Sequence, residues 1–158
     1  MASFRLIYFI NCGLMIIGAV FAALSTAGNY WEKYSLRSTI VHVGLWQFCG
    51  KPFSSSYCLE RDKTDALMAC EAFMIIGCLG YLLSLCYSSV LCIRKHWTSK
   101  VLAALLILTA ICLAIALGVY TKEISIKEST FGWSYIIGWC SAAISLFAGI
   151  LSFAEHIE

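Results

Sequence analysis

The sequence predicts an all-α membrane protein, a bundle of four transmembrane helices with a small extracellular β-sheet at one end. Three observations lead to this fold class. The composition is 61% hydrophobic and 13% charged, whereas in a soluble domain about a quarter of the residues are charged. Four stretches are almost free of charge and long enough to cross a bilayer, which takes about 20 residues of helix. The long segment between the first two stretches alternates like short β-strands and contains two cysteines.

Residues 1–158 are predicted to form one tetraspanning domain, with helices at about 6–27, 66–93, 101–121 and 133–154. No charged residue lies between Arg5 and Glu32, and Glu71 is the one charge of the second stretch. The last two stretches contain none, which is rare for buried helices of a soluble protein. A cleaved signal peptide is the alternative for the first stretch, but its apolar run exceeds the usual length of roughly 7–15 residues. We therefore expect an uncleaved signal anchor.

Lysine and arginine predict the orientation of the chain. The connection 94–100 contains Arg94, Lys95 and Lys100 and no acid, and Arg5 lies beside the amino terminus. Positive residues are retained on the cytosolic side. We therefore expect both termini and loop 94–100 in the cytosol of a plasma-membrane protein, and loops 28–65 and 122–132 outside. The net charge of +2 then reflects topology and implies no nucleic-acid partner.

The first outer loop has the pattern of a small antiparallel sheet. Residues 34–38 and 45–48 alternate, and 39–43 is rich in β-branched side chains, which is typical of short strands bounded by turns. Two or three strands are expected over the helix ends. Residues 123–127 in the second outer loop have the same period of two, so one further strand is predicted there.

Nine cysteines raise the alternative of a membrane redox enzyme. Thiol chemistry of that kind uses a Cys-x-x-Cys pair in which one thiolate attacks and the second resolves, and the sequence has no such pair. The cysteines within apolar spans are expected to act as small hydrophobic residues; they are Cys12, Cys70, Cys78, Cys86, Cys112 and Cys140. Cys92, next to the basic loop, is a candidate palmitoylation site.

Cys49 and Cys58 differ from the other cysteines because they lie in the outer loops. The exterior is oxidising, so these two are predicted to form a disulfide. It would close a short loop, and by chain entropy it would contribute somewhat under about 3 kcal/mol.

Few residues indicate a chemical site. An ionised carboxylate such as Glu71 is costly inside a span and needs either to reach the surface or to find a polar partner under the sheet. Both interpretations remain open at this point. His42, His96 and His156 have no spacing that suggests a metal site. No nucleophile with an adjacent base, no paired carboxylates and no phosphate loop occur, so no enzyme and no cofactor are predicted.

Small residues at four-residue spacing predict where helices pack. Lipid gives helices no hydrophobic drive to associate, so close approach depends on small side chains. The third span offers Ala110, Ala114 and Gly118, and the fourth offers Ser141, Ser145 and Gly149.

A distinctive set of residues lies between the first two spans, in the order Trp31, Gly44-Leu45-Trp46, Cys49 and Cys58. This W…GLW…C…C pattern resembles the first extracellular loop of the claudin, peripheral myelin protein and epithelial membrane protein superfamily, and the resemblance covers essentially the whole chain. It implies a claudin-like bundle of four helices topped by an antiparallel sheet, with Trp46 as the anchor between them.

Within that superfamily, residues 29–34, 44–49 and 131–139 look most similar to lens and epithelial members. Glu71 stands where claudins, and also the lens members, tend to have arginine, so a polar contact made by that arginine does not carry over to this chain. The tail 155–158 lacks the scaffold-binding motif of many claudins, and there is no Asn-x-Ser/Thr sequon, unlike in the glycosylated epithelial members. A lens or epithelial type relative is therefore favoured over a tight-junction strand former.

The resemblance implies a non-enzymatic structural protein of cell-cell contacts and junctions. The expected partners are the bilayer and other membrane proteins in cis and in trans, including further copies of the chain in a homo-oligomer. One alternative is a paracellular barrier or pore, or an auxiliary regulator of a channel. A selective pore needs a cluster of one charge sign, whereas basic and acidic residues are mixed in the first outer loop. A second alternative is a membrane protein of vesicles or granules.

Overall fold

The computed structural model describes residues 2–36, 39–50, 57–94, 100–126 and 129–157. Its helices are α1 (Ala2–Ala27), α2 (Asp65–Ile93), α3 (Lys100–Val119) and α4 (Trp133–Ile157). Its strands are β1 (Glu32–Leu36), β2 (Thr39–Val43), β3 (Gln47–Gly50), β4 (Tyr57–Glu60) and β5 (Thr130–Phe131). A short π-helix, Tyr120–Ile124, continues α3.

All four α-helices are long and apolar enough to cross a membrane. Their outward surfaces are apolar as well: Leu83 is 60% exposed and Ile136 is 54% exposed. Exposed apolar surface of this extent would promote association in water, whereas it matches hydrocarbon. The predicted fold class of four membrane-spanning helices with a small antiparallel sheet is therefore confirmed. Helices α1 and α4 extend beyond the predicted apolar stretches because a helix need not end where the hydrocarbon does.

The helices form a ring in which α1 and α3 each pack against both α2 and α4. Two hydrophobic clusters fill the interior. The cluster far from the sheet contains Met15, Leu91, Leu102, Leu106 and Ala148. The other lies where the helices meet the sheet, and its largest fully buried side chains include Trp31, Tyr81 and Tyr120.

The strands form one antiparallel sheet in the order β4-β3-β2-β1-β5. Because side chains alternate between faces, Val41 and Val43 project to one face, where both are buried. Lys33 and Cys58 project to the opposite face and are exposed. The first face covers the helix ends, so we call it the inner face and the other the outer face.

The prediction of a strand over residues 123–127 is wrong. Tyr120–Ile124 is π-helical, and the Ser125 amide donates to the Tyr120 carbonyl at 2.9 Å. The second long connection does add a strand, but it is Thr130–Phe131 on β1. The helical turn places Tyr120 in the interior beside Trp31. Residue 127 lies outside the described residues.

Candidate functional site

Trp31 joins the sheet to the bundle at the start of β1. Its side chain is fully buried, and its ring lies 4.6 Å from that of Tyr120 and 5.9 Å from that of Tyr135. Its indole Nε1–H donates to the Ser25 carbonyl oxygen at 2.7 Å. Its backbone N–H donates to Val43 of the neighbouring strand. One residue thus contacts α1, the α3 extension, α4 and the sheet.

Trp46 makes the matching contact from the β2–β3 connection. Its indole Nε1–H donates to the Thr26 carbonyl oxygen at 2.7 Å, and its ring is half-buried. Ser25 and Thr26 belong to the last turn of α1, whose carbonyls have no partner within the helix. The two indoles therefore provide hydrogen bonds that the end of α1 would otherwise have to obtain from water.

Gly44 and Leu45, the other residues of the predicted motif, lie in the same contact. A Cβ atom on Gly44 would stand 2.7 Å from the Asn29 Cα, so the two backbones approach too closely for any other residue. Leu45 is fully buried. The structure thus brings all four predicted motif residues to one junction, where α1 ends and the sheet begins.

The predicted disulfide is confirmed. Cys49 on β3 and Cys58 on β4 are directly opposed and bonded to each other. The bond ties β4, an edge strand with all four residues exposed, to the rest of the sheet. The remaining cysteines are free thiols.

Two charged residues in this junction escaped the sequence interpretation. Glu32 is fully buried, and one of its carboxylate oxygens accepts from the Ile126 amide at 3.3 Å. The Arg61 guanidinium donates to the Gly44 carbonyl at 3.0 Å and lies 5.7 Å from the centre of the Tyr120 ring. Charged residues in outer loops are normally exposed. The one available signal was its position directly after Trp31, in a strand where Glu32 pairs with Val43 and shares the inner face of the sheet.

Glu71 lies in the second turn of α2. It is 7% exposed, and its carboxylate stands 3.6 Å from the Lys63 ammonium group. Lys63 also lies 6.0 Å from the centre of the Trp46 ring. The sequence left open whether this carboxylate reaches the surface or finds a polar partner. In the structure it has a partner, and that partner belongs to the segment leading out of the sheet.

The predicted packing residues of α4 lie in the bundle interior. Ser141 Oγ donates to the Gly18 carbonyl at 2.8 Å, and Ser145 Oγ donates to the Leu106 carbonyl at 2.8 Å. A Cβ on Gly149 would stand 2.9 Å from a side-chain carbon of Ile107. These residues hold α4 against α1 and α3.

The predicted packing residues of α3 are less uniform. Ala110 is buried, whereas Ala114 is half-buried and lines an apolar groove of about 300 Å³ between α3 and α4. Gly118 is exposed, and nothing lies within 4 Å of the position of its Cβ. The packing role predicted for Gly118 therefore has no contact to support it among the described residues.

Tyr81 was missed by sequence interpretation. It is fully buried, and its hydroxyl donates to the Ser141 carbonyl at 2.7 Å. Its ring fills the space that a side chain on Gly18 would need. This contact between α1, α2 and α4 has no sequence signal, because nothing in the positions of Gly18 and Tyr81 along the chain indicates that they meet.

In the part of the chain that the structure describes, no group of three or more His, Cys, Asp or Glu side chains could hold a metal ion. The indole N–H groups of Trp31 and Trp46 and the Arg61 guanidinium donate to backbone carbonyls, and Glu71 pairs with Lys63. What this arrangement can do is hold the sheet in a fixed position at the membrane surface.

Comparisons with known proteins agree with this architecture. The model of the PMP-22/EMP/MP20/Claudin family matches residues 2–152. The lens fiber membrane intrinsic protein of Rattus norvegicus is 26% identical over 145 residues, which cover 85% of this chain and 82% of that protein. Claudin domain-containing protein 2 of Mus musculus is 29% identical over 139 residues, covering 86% and 78%. Epithelial membrane protein 1 of Homo sapiens is 27% identical over 134 residues, covering 81% and 83%.

Proposed function

The chain belongs to the PMP-22/EMP/MP20/Claudin family, as its sequence motif predicted, and from this premise we propose that it is a structural protein of cell-cell contacts. In this role the outer face of the sheet would meet a partner on the apposed membrane or beside it. The proposal includes no catalytic step. Two of the relatives described above, the lens fiber membrane intrinsic protein and epithelial membrane protein 1, are membrane proteins by name, and four helices of this chain are long and apolar enough to cross a membrane. The proposal rests on this coarser statement, that the chain is a multi-pass membrane protein.

The observation that carries the proposal is the attachment of the sheet to the membrane helices. Trp31 and Trp46 donate to successive carbonyls at the end of α1, and the disulfide braces the far edge. A binding surface loses less entropy on association when it is already rigid. The sheet therefore has the properties that a docking platform needs.

The proposal also places this platform outside the cell, at the plasma membrane. The disulfide supports that placement because disulfides persist in oxidising compartments. The basic residues at the opposite end of the bundle, Arg94 and Lys100, support it by the positive-inside tendency.

Mixed cell cultures test adhesion directly. Cells that express the fluorescently tagged chain are mixed with cells that lack it. We expect enrichment where two expressing cells touch if partners are copies of the chain, or at every contact if the partner is another resident protein. A uniform distribution over the cell surface, with no enrichment at either kind of contact, would contradict the proposal.

A matched pair of variants makes this test specific for the outer face. Ile40 is 58% exposed there, so Ile40→Glu should abolish enrichment at contacts and leave surface delivery unchanged. Lys122→Glu changes an exposed charge in the π-helix that follows α3 and should have no effect.

The alternatives from the sequence make different predictions in the same cells. A paracellular barrier or pore would change the electrical resistance of an epithelial layer, and a channel regulator would change whole-cell currents in isolated cells. A granule protein would be found on internal vesicles even in isolated cells.

A further inference from the structure

One row of residues crosses the outer face of the whole sheet. Cys58, Cys49, His42, Lys33 and Thr130 are directly opposed on successive strands, from β4 through β3, β2 and β1 to β5. Directly opposed residues project from the same face with Cβ atoms about 4.5–5.5 Å apart. The disulfide is therefore the end of a row whose next two members are an imidazole and an ammonium group.

The two sulfur atoms of this disulfide differ in their surroundings. Cys58 lies on the edge strand and is exposed, whereas Cys49 lies on an inner strand and is half-buried beside His42. A thiol that attacks a disulfide needs access to one sulfur, and its rate rises when the other sulfur leaves easily as a thiolate. Nearby positive charge makes a thiolate a better leaving group.

His42 is suited to assist such a leaving group. Its Nδ1 is buried and has no hydrogen-bond partner within the described residues. Its ring stands 4.3 Å from that of Tyr30, and the groups opposed to it on β1 and β3 are Lys33 and Cys49. Imidazole exchanges protons in the neutral pH range. No acidic side chain is opposed to it in this row.

We propose that the Cys49–Cys58 disulfide is a site of reversible thiol–disulfide exchange with low-molecular-weight thiols, in which Cys58 is attacked and His42 assists the departure of Cys49. The thiolate sulfur of the small molecule bonds to Cys58 Sγ as the bond between the two cysteines breaks. The electron pair of the broken bond stays on Cys49 Sγ, which takes a proton from the imidazolium of His42. A second small thiol can then release Cys58 and leave as the oxidised small-molecule disulfide.

This inference goes beyond the proposed function and does not depend on it. It would make β4 detachable from the sheet under reducing conditions, because the disulfide braces that edge strand. Adhesion could fail in the cell test while exchange occurs in the purified protein, so the two proposals are tested separately.

The test uses the purified full chain in detergent with glutathione as the thiol. Accessible free thiols are first blocked by N-ethylmaleimide, glutathione is added at neutral pH, and newly formed thiols are labelled with a second, heavier maleimide. Peptide mapping should find glutathione on Cys58 and the second label on Cys49. Glutathione on Cys49, or no adduct until the protein unfolds, would overturn the proposal.

Substitutions of His42, with a control outside the row, test the role of this residue. His42→Gln should slow the appearance of labelled Cys49 by about threefold to tenfold, since the leaving sulfur loses its proton donor, and His42→Lys should largely restore the rate. Lys122→Gln removes a cation outside the row and should leave the rate unchanged. Unfolding exposes the disulfide and accelerates exchange, so a slower rate cannot result from a destabilised variant. Equal rates in His42→Gln and the unchanged protein would refute the assignment.

Discussion

At the scale of single residues, Trp31 and Trp46 combine a large apolar ring with one hydrogen-bond donor. Aromatic rings of this kind suit positions where apolar and polar surroundings meet. Here the rings pack at the junction and the donors complete the carbonyls at the end of α1. Replacing either one removes packing and also leaves a carbonyl without its partner.

Trp46→Ala is expected to lower the free energy of unfolding by about 3–5 kcal/mol, because truncating a packed aromatic ring leaves a cavity. The measurement is the temperature at which the detergent-solubilised variant aggregates. Tyr57→Ala is the control, since Tyr57 is 42% exposed on the edge strand. If both variants lose the same small amount, Trp46 does not anchor the sheet.

Gly44→Ala should destabilise by about 1–3 kcal/mol, as overpacking does, because the added methyl group would meet the backbone of Asn29. Gly118→Ala is the matched control, since nothing lies within 4 Å of its added Cβ. The same thermal aggregation assay compares the two. A loss at Gly118 comparable to that at Gly44 would mean that Gly118 does pack against another helix.

At the scale of secondary-structure elements, the four helices are held together by polar contacts to backbone as well as by packing. Ser141 and Ser145 on α4 each donate to a carbonyl of a neighbouring helix. These hydrogen bonds require the helices to approach closely, and on α1 the missing side chain of Gly18 makes that approach possible. Hydrogen bonds of this kind are worth roughly 0.6 kcal/mol on average in membrane proteins, so much of the stability must come from the fit of the surfaces.

Gly18→Ala tests that fit. The added methyl group would overlap the ring and hydroxyl of Tyr81, so we expect a loss of about 1–3 kcal/mol. Gly13→Ala on the same helix meets nothing within 4 Å and should be neutral or slightly stabilising, because alanine is the better helix former. Unfolding of both variants in a mild detergent by added denaturing detergent gives the comparison. Equal stabilities would show that α1 and α2 do not approach as closely as described.

At the scale of the whole molecule, charge separates the two ends of the bundle. The end without the sheet carries Arg94 and Lys100, whereas the sheet end combines acids and bases, including the pair of Lys63 and Glu71. This asymmetry is the basis of the predicted topology.

Tags on either terminus should be labelled by antibodies only after the cells are permeabilised, because both termini are predicted to be cytosolic. A tag inserted in the loop between β3 and β4 should be labelled on intact cells. Replacing Arg94, Lys95 and Lys100 together by glutamine should produce a fraction of inverted molecules. Labelling of a terminal tag on intact cells expressing the unchanged chain would contradict the topology.

The sequence by itself determined the four spans, the disulfide and the presence of a sheet. Each depends on a property that can be read along the chain. Charge is absent over the length needed to cross hydrocarbon, two cysteines lie in the outer loops, and strands alternate with period two. The family motif is equally local, since Trp31 and Gly44-Leu45-Trp46 come between the first two spans.

Only the tertiary structure decided which sides of these elements meet. In a soluble helix a polar face and an apolar face distinguish outside from inside, but in lipid both faces are apolar. Gly118 and Gly18 therefore look alike in sequence, although one faces outward and the other receives Tyr81. The burial of Glu32 and the position of β5 also depend on contacts between distant segments. No periodicity along the chain encodes those contacts, so they appear only when the helices and the sheet are assembled.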